Sequence, residues 1–154
     1  MSIEQVRTYL SRWNRENDII EMEISTATVE LAALALGVIP ARIAKSISLR
    51  GQNNSAFVVV TAGDVKLENH KFKNQFNFKA RMLNSEEALE FTGHAVGGVC
   101  PFALPQGVDV YLDNSMKRFE TVFPACGSGN SAIELTLSEL EEYSQSKGWV
   151  DICV

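Results

Sequence analysis

Lys45 is the residue whose type and setting point most directly to chemistry. It lies in Ala44-Lys45-Ser46-Ile47-Ser48-Leu49-Arg50, where polar and apolar side chains alternate as they do along a half-buried strand. A lysine that faces inward from such a strand is costly unless an anion or a wet pocket receives it. One that faces solvent costs nothing, and the alternation alone allows both. A second feature is Gly93-His94-Ala95-Val96-Gly97-Gly98, where backbone without side chains can approach a ligand and offer N–H groups to an ester carbonyl or to ribose hydroxyls. A third is the basic stretch Lys66, His70, Lys71, Lys73, Lys79 and Arg81, which contains one acid, Glu68, and interleaves Phe72, Phe76 and Phe78. Cations with exposed aromatics suit a phosphate backbone and unstacked bases. The competing reading is a solvated helix face over a phenylalanine core, and for the phenylalanines it is the favoured one.

Other chemistries find little support. His70 and His94 are far apart and neither sits in a metal-ligand spacing. Cys100 lies six residues after His94, so the two could meet, but a small apolar cysteine under a loop beside a solvent-facing histidine is the simpler expectation. There is no G-x-S-x-G elbow and no phosphate-cradling Walker loop, and Gly127-Ser128-Gly129 lacks the third glycine of a dinucleotide site. The three cysteines, Cys100, Cys126 and Cys153, form no C-x-x-C pair and no disulfide framework, so a reducing cytoplasm is expected. No secretory signal is expected from Met1-Ser2-Ile3-Glu4-Gln5, and no apolar run is long enough to cross a bilayer. The net charge of −5 argues against wholesale nucleic-acid binding. Its distribution is uneven: residues 1–81 carry a net +3 and residues 82–154 a net −8, so an anionic partner is expected near the first half.

The elements that must position these residues can be sketched from periodicity and turn chemistry. Ile3, Val6, Tyr9, Leu10 and Trp13 mark an amphipathic helix over 3–15, and Ile19–Ile24 a short strand. Val29–Leu36 follows the N-cap candidates Ser25 to Thr28 and ends at Gly37, with Pro40 beyond. Residues 44–61 read as a hairpin turning at Gly51 to Ser55. A helix and a short strand are expected within 65–81, then a helix opened by Asn84-Ser85-Glu86-Glu87. Residues 93–107 form a long loop, strands are expected at 108–112, 121–123 and 132–135, and Thr136-Leu137-Ser138-Glu139 opens a last helix before the tail 149–154. A chain of 154 residues with 45% hydrophobic content suits one domain, 1–154. The fold class is mixed α/β (α+β): a largely antiparallel or mixed sheet of six or more strands surrounded by helices.

Taken in order, these pieces resemble the prolyl-tRNA editing family, the YbaK-type aminoacyl-tRNA deacylases, over about residues 20–143. The resemblance is carried by Ser25-Thr26-Ala27-Thr28-Val29-Glu30-Leu31-Ala32, by Leu36-Gly37-Val38 through Ile43-Ala44-Lys45-Ser46, and by Phe57 through Asp64. It continues in Thr92-Gly93-His94-Ala95-Val96-Gly97-Gly98-Val99-Cys100-Pro101-Phe102, then Val110-Tyr111-Leu112-Asp113 and Phe119-Glu120. There are departures. Val96 stands where many members have proline, Cys100 where they have serine and Ala103 where they have glycine. Cys126-Gly127-Ser128-Gly129 replaces the His-Pro of one branch.

The resemblance implies the fold of that editing domain and a free-standing deacylase that hydrolyses, without a metal or other cofactor, the ester of a mischarged tRNA. The tRNA would be the proline acceptor carrying a small wrong amino acid such as Cys or Ala. Lys45 would hold the carbonyl or a nearby phosphate, with the backbone of Gly97 and Gly98 helping to place the attacking water. Thr26, Ser46, Gly93, His94, Val96 and Ser128 would line the substrate site, and Lys66, Lys71, Lys73, Lys79 and Arg81 would meet the tRNA. The expected partners are the aminoacyl-tRNA 3′ end and prolyl-tRNA synthetase, with no membrane or DNA, and a monomer is the default. The substitutions at Cys100, Ala103 and 126–131 also motivate a non-catalytic tRNA- or synthetase-binding module of the same fold, and a hydrolase of small aminoacyl compounds is a third option.

Overall fold

The structure, a computed structural model, describes residues 2–154. The hairpin at its centre follows from two runs of alternating or apolar residues joined by asparagine-rich turn chemistry. Ile43–Arg50 (β2) and Ala56–Ala62 (β3) pair antiparallel from Ala44 opposite Ala62 to Arg50 opposite Ala56. Asn53 and Asn54 close the turn, both in the left-handed conformation that asparagine tolerates. Strand β3 is buried along its whole length. It is flanked on its other side by the parallel strand Asp109–Asp113 (β4), and β4 in turn by the parallel tail strand Trp149–Val150 (β8). Beyond β2 lie Thr121–Pro124 (β5), parallel to it, and Leu135–Thr136 (β7), antiparallel to β5. The sheet is therefore six-stranded and mixed, in the order β7-β5-β2-β3-β4-β8. Ile20–Glu21 (β1) and Ser131–Ala132 (β6) form a separate small pair.

Helices cover both faces because alternate residues of β2 and β3 point to opposite sides. Val58 and Val60 belong to a core closed by Ile3, Val6 and Leu10 of α1 (Ser2–Leu10) and by Leu140 and Tyr143 of α5 (Leu137–Ser144). Ile47, Leu49, Phe57 and Val59 pack instead with Phe72 of α3 (Asn69–Phe76) and with Ile152 and Cys153 of the tail. Phe76 and Phe78 pack against this second cluster, so the phenylalanines of the basic stretch are core. A smaller cluster joins Ala32 and Ala33 of α2 (Val29–Leu36) to Ile43 and Phe123. Among the described residues no helix is long and apolar enough to cross a membrane.

The caps fall where the sequence puts them. Thr28 accepts from Leu31 N–H, Gly37 ends α2 at φ +70°, and Asn84 with Glu87 forms a capping box for α4 (Ser85–Thr92). Several expectations are corrected. The first helix ends at Leu10, passes into a 3₁₀ turn over Ser11–Trp13 and stops at left-handed Asn14. The strand expected over 19–24 shrinks to Ile20–Glu21 because its partner β6 is itself only two residues long. The strand expected after α3 is a single bridge, Leu49 to Met82. The run 132–135 breaks into β6 and β7 because each half pairs with a different partner, β1 and β5.

Candidate functional site

The site begins at an interruption in the sheet. Strand β5 pairs with β2 only at Ile43 and Ala44. The segment after α3 rejoins the same edge further along, where Leu83 N–H donates to Ser48 carbonyl (3.0 Å) and Arg50 N–H to Arg81 carbonyl (2.8 Å). Between these two contacts, Lys45–Ile47 has β3 on one side and no strand on the other. Successive strand residues direct their backbone groups to opposite edges. Ser48 and Arg50 use theirs outward, so Ser46 presents its N–H and C=O to the gap. A cavity of about 280 Å³ opens there, walled by Thr26 to Val29 and Ala32 at the start of α2, by Met82 and Leu83, by Val96 and Gly97, and by Phe123, Ser131 and Ala132.

Lys45 lines this cavity and is half-buried. It is opposite Thr61 in the register and shares the face of Ile47 and Leu49, and its Nζ donates to the Val65 carbonyl at 3.1 Å. That tether keeps the ammonium from swinging into bulk water. Asp64, next along, is gripped by both terminal guanidinium nitrogens of Arg118 (2.6 and 3.0 Å), and this pairing, with a smaller contribution from Lys45, holds its carboxyl below the usual range. Among the described residues no Asp or Glu lines the cavity, and Lys45 is the charged group at its wall.

The three glycines of the 93–98 loop do three different jobs. Gly93 caps α4 at φ +77°, its N–H donating to Leu89 carbonyl at 3.0 Å. Gly98 packs against the late turn, where an added Cβ would lie 2.8 Å from Gly127 C and Ser128 N. Gly97, at φ +94° and against Ala27, is the one of the three that lines the cavity, beside Val96, which is 66% exposed. Gly93, Gly98, His94 and Ser128 lie outside it. Ser128 Oγ is instead within hydrogen-bond distance of Asn130 Oδ1 (2.9 Å) and Ser131 Oγ (2.7 Å), and Ser131 is the serine of that turn that reaches the cavity.

His94 is neither solvent-facing nor aimed at the cavity; it is fully buried. Its Nε2 lies 2.8 Å from the Phe102 carbonyl, which can only accept, so Nε2 carries the proton and Nδ1 accepts from the Ser2 hydroxyl. Burial lowers its pKa and favours the neutral ring. Cys100 Sγ does meet it, 3.5 Å from Nε2, but burial pushes the Cys100 thiol up to about 12, so no thiolate is available at neutral pH. Ala103, which stands at a glycine position of the resembled family, adopts φ +53°.

Two polar atoms in the cavity wall lack partners. Thr26 Oγ1 and Ser46 Oγ are buried and, among the described residues, have no hydrogen-bond partner. Phe123, Ser131 and Met82, which also line the cavity, were not singled out by the sequence. Of the basic residues, Lys66, Lys73 and Lys79 are exposed and, among the described residues, have no carboxylate within ion-pair distance. Lys71 is committed to Asp151 (3.1 Å) and the Cys153 carbonyl (2.9 Å), and Arg81 lies 3.6 Å from Glu87. Among the described residues no group of three or more His, Cys, Asp or Glu is arranged to hold a metal.

Comparison with known proteins bears on what this arrangement is for. A model of the aminoacyl-tRNA editing domain matches residues 23–143. An uncharacterised Bacillus subtilis (strain 168) protein, YwhH, is 58% identical over 153 residues, covering 99% of this chain and 98% of that one. A crystal structure described as a proposed trans-editing enzyme for prolyl-tRNA synthetase superposes with a TM-score of 0.87 at 26% identity, covering 98% of this chain and 96% of the other. The hypothetical protein APE2540 superposes with a TM-score of 0.82, also at 26% identity, covering 95% and 99%.

Proposed function

The chain belongs to the aminoacyl-tRNA editing domain family, and from that premise we propose that all 154 residues act as one free-standing deacylase, which removes a small, wrongly attached amino acid from the 3′ end of a tRNA. The observation that carries this reading is the convergence of Lys45, Gly97 and the open edge at Ser46 on one cavity. The uncleaved substrate is an ester, and attack on its carbonyl builds negative charge on the carbonyl oxygen. A fixed cation and backbone N–H groups aimed at that charge lower the barrier because they need no reorganisation as it develops. Lys45, held by Val65, and the outward N–H of Ser46 are the groups able to do this. The N-terminal end of α2 at Thr28 and Val29 adds a favourable partial positive charge. The attacking group is a water positioned at the Val96–Gly97 turn, assisted by the neighbouring ribose hydroxyl of the substrate.

Apolar pocket walls discriminate one methylene by only about 1–3 kcal/mol, and this is the chemical reason a synthetase needs a separate hydrolytic check. The proline acceptor is the tRNA we assign, with Cys and Ala as the esters the family resemblance suggests, prolyl-tRNA synthetase as the companion protein and the cytoplasm as the compartment. Lys66, Lys73 and Lys79 are the exposed cations placed to meet the tRNA backbone. The deciding assay follows loss of the ester from mischarged proline tRNA. Release above the buffer blank supports the proposal. Salt-sensitive tRNA binding with no release would establish instead a non-catalytic module of the same fold.

A further inference from the structure

We infer that the protein has a second binding site, a pocket for an unpaired cytosine of the tRNA 3′ end, and that the segment 78–83 carries the RNA from it to the cavity at Lys45. The inference rests on the editing reading and deepens it. A separate cavity of about 260 Å³ lies at the turn end of the β2–β3 hairpin, walled by Gly51, Phe57, Phe76, Phe78, Asp109 and Tyr111. In the parallel β3–β4 ladder Phe57 is opposite Asp109 and Val59 is opposite Tyr111. Residues paired across a ladder share a face, as do residues two apart on one strand. The Asp109 carboxylate therefore stands on the face of the sheet that carries the rings of Phe57 and Tyr111. Those rings meet edge to face at 6.0 Å, and Phe76 lies 5.1 Å from Tyr111. Gly51 keeps the Phe57 ring uncovered, because a Cβ there would lie 3.6 Å from its Cδ1 and 2.5 Å from Ser55 Oγ.

Phe76, Phe78 and Tyr111 pack inward against the second core cluster but are only half-buried, so each keeps surface for the cavity. Asp109 is half-buried too and, among the described residues, has no Lys or Arg within ion-pair distance.

The chain itself joins this cavity to the first. Phe78 lines the one, Met82 and Leu83 line the other, and the exposed cations Lys79 and Arg81 stand between them. The far part of this segment is held extended beside β2 by the bonds of Arg81 and Leu83 to Arg50 and Ser48. Four residues separate Phe78 from Met82, at most about 14 Å, a span that a single-stranded 3′ end can bridge. A polyanion whose side groups are flat, amine-bearing rings matches both features: phosphates for the cations, bases for the aromatic wall. A bare organic cation would suit the carboxylate but not the cations beside it. Aromatic surface accepts any base, whereas a carboxylate selects one that offers it a donor. Cytosine presents its N4 amine, and uracil presents an acceptor that Asp109 repels. Two cytosines precede the aminoacylated adenosine in the CCA end of a tRNA, and the pocket takes one of them.

The test measures binding of adenosine and of the trinucleotides CCA, CUA and UCA, each carrying a non-hydrolysable 3′-alanyl amide, at one fixed salt concentration. CCA is expected to bind at least about tenfold tighter than adenosine, through one stacked base and the phosphates. One of the two uridine-substituted trinucleotides is expected to bind at least about fivefold more weakly than CCA, which also identifies the cytosine that is read. Asp109→Asn, whose amide accepts from cytosine and donates to uracil, is expected to bring that ratio close to one and to leave adenosine binding unchanged. Phe78→Leu is expected to weaken all three trinucleotides and spare adenosine, with melting temperatures as folding controls for both variants. Three results each overturn the inference: CCA binding no tighter than adenosine, equal affinity for the three trinucleotides, or a ratio that survives Asp109→Asn. Ester release from mischarged tRNA, followed in parallel, keeps the two proposals apart. Release without base preference leaves the editing reading standing and removes the pocket, whereas base preference without release does the reverse.

Discussion

Replacing Lys45 with methionine isolates its charge. The unbranched stem is retained, so packing against Ile47 and the β3 neighbour Thr61 changes little, while the ammonium and its bond to Val65 are lost. An ammonium about 4 Å from a developing oxyanion interacts by about 4 kcal/mol at the screening typical of a protein surface. Two features of the structure reduce that figure. Lys45 is half-buried rather than enclosed, so water keeps part of its access, and one of its three N–H donors is already given to Val65. We therefore expect a loss of about 1.4–3 kcal/mol of transition-state stabilisation, a decrease of about ten- to over a hundredfold in the single-turnover rate. The assay is release of labelled amino acid from mischarged tRNA at saturating protein, with the KM effect read separately. Because Lys45 acts on charge that appears during attack, the decrease should fall on kcat rather than KM. A Lys45→Met protein that melts normally and hydrolyses within twofold of the parent rate would show that the cation takes no part.

Three further outcomes follow from particular residues. Ala103 pays for a left-handed backbone that glycine adopts freely, so Ala103→Gly should raise stability by about 0.5–1 kcal/mol after the entropy of the unfolded glycine is subtracted; a denaturant midpoint that stays put or falls contradicts this. Burial holds the pKa of His94 below its ordinary 6.5, so above that pH both folded and unfolded states are neutral there, and below it the unfolded chain takes up a proton that the fold resists. Stability should therefore decline as pH falls through 6.5 by up to about 1.4 kcal/mol per pH unit, and the part due to this ring should disappear in His94→Gln when unfolding is followed from pH 7.5 to 5.5; parallel curves for the two proteins refute the assignment. Lys73→Gln with Lys79→Gln should weaken tRNA binding uniformly across sequences and shrink the slope of log affinity against log salt by about 1.5–2, and an unaltered slope would remove that face from the tRNA path.

Local signals in the chain were strong wherever one short stretch decided the outcome. Thr28, Gly37, Asn84 and Thr136 set helix ends through bonds to residues three or four positions away, and the β2–β3 hairpin needs only its own two strands and an asparagine turn. What could not be read was decided by distant segments. Trp149 to Ile152 look like an ordinary tail until β4 supplies the edge that Trp149 and Val150 pair with and Asp113 Oδ1 receives the Ile152 N–H at 2.9 Å. His94 looks like a polar loop residue until Phe102 and Ser2 satisfy both ring nitrogens. The cavity shows both cases. Thr26, Ser46, Lys45, Val96 and Gly97 come from stretches whose patterns stood out, whereas Phe123, Ser131 and Met82 reach it only because β5, the late turn and the segment after α3 all stop beside the same three residues of β2.

That interruption has a second effect, on how copies of the molecule behave toward one another. An unpaired strand edge invites a neighbouring chain to dock and extend the sheet, the first step toward aggregation. Here the free backbone spans only Lys45 to Ile47 and is hemmed in by β5 at one end and by the Met82–Leu83 segment at the other, while the outermost strands, β7 and β8, are two residues each. An extended peptide finds no runway long enough to zip onto, yet a compact acyl group still fits. Brevity of the exposed ladder lets the protein keep hydrogen-bonding capacity on offer to a small guest without becoming adhesive to its own kind.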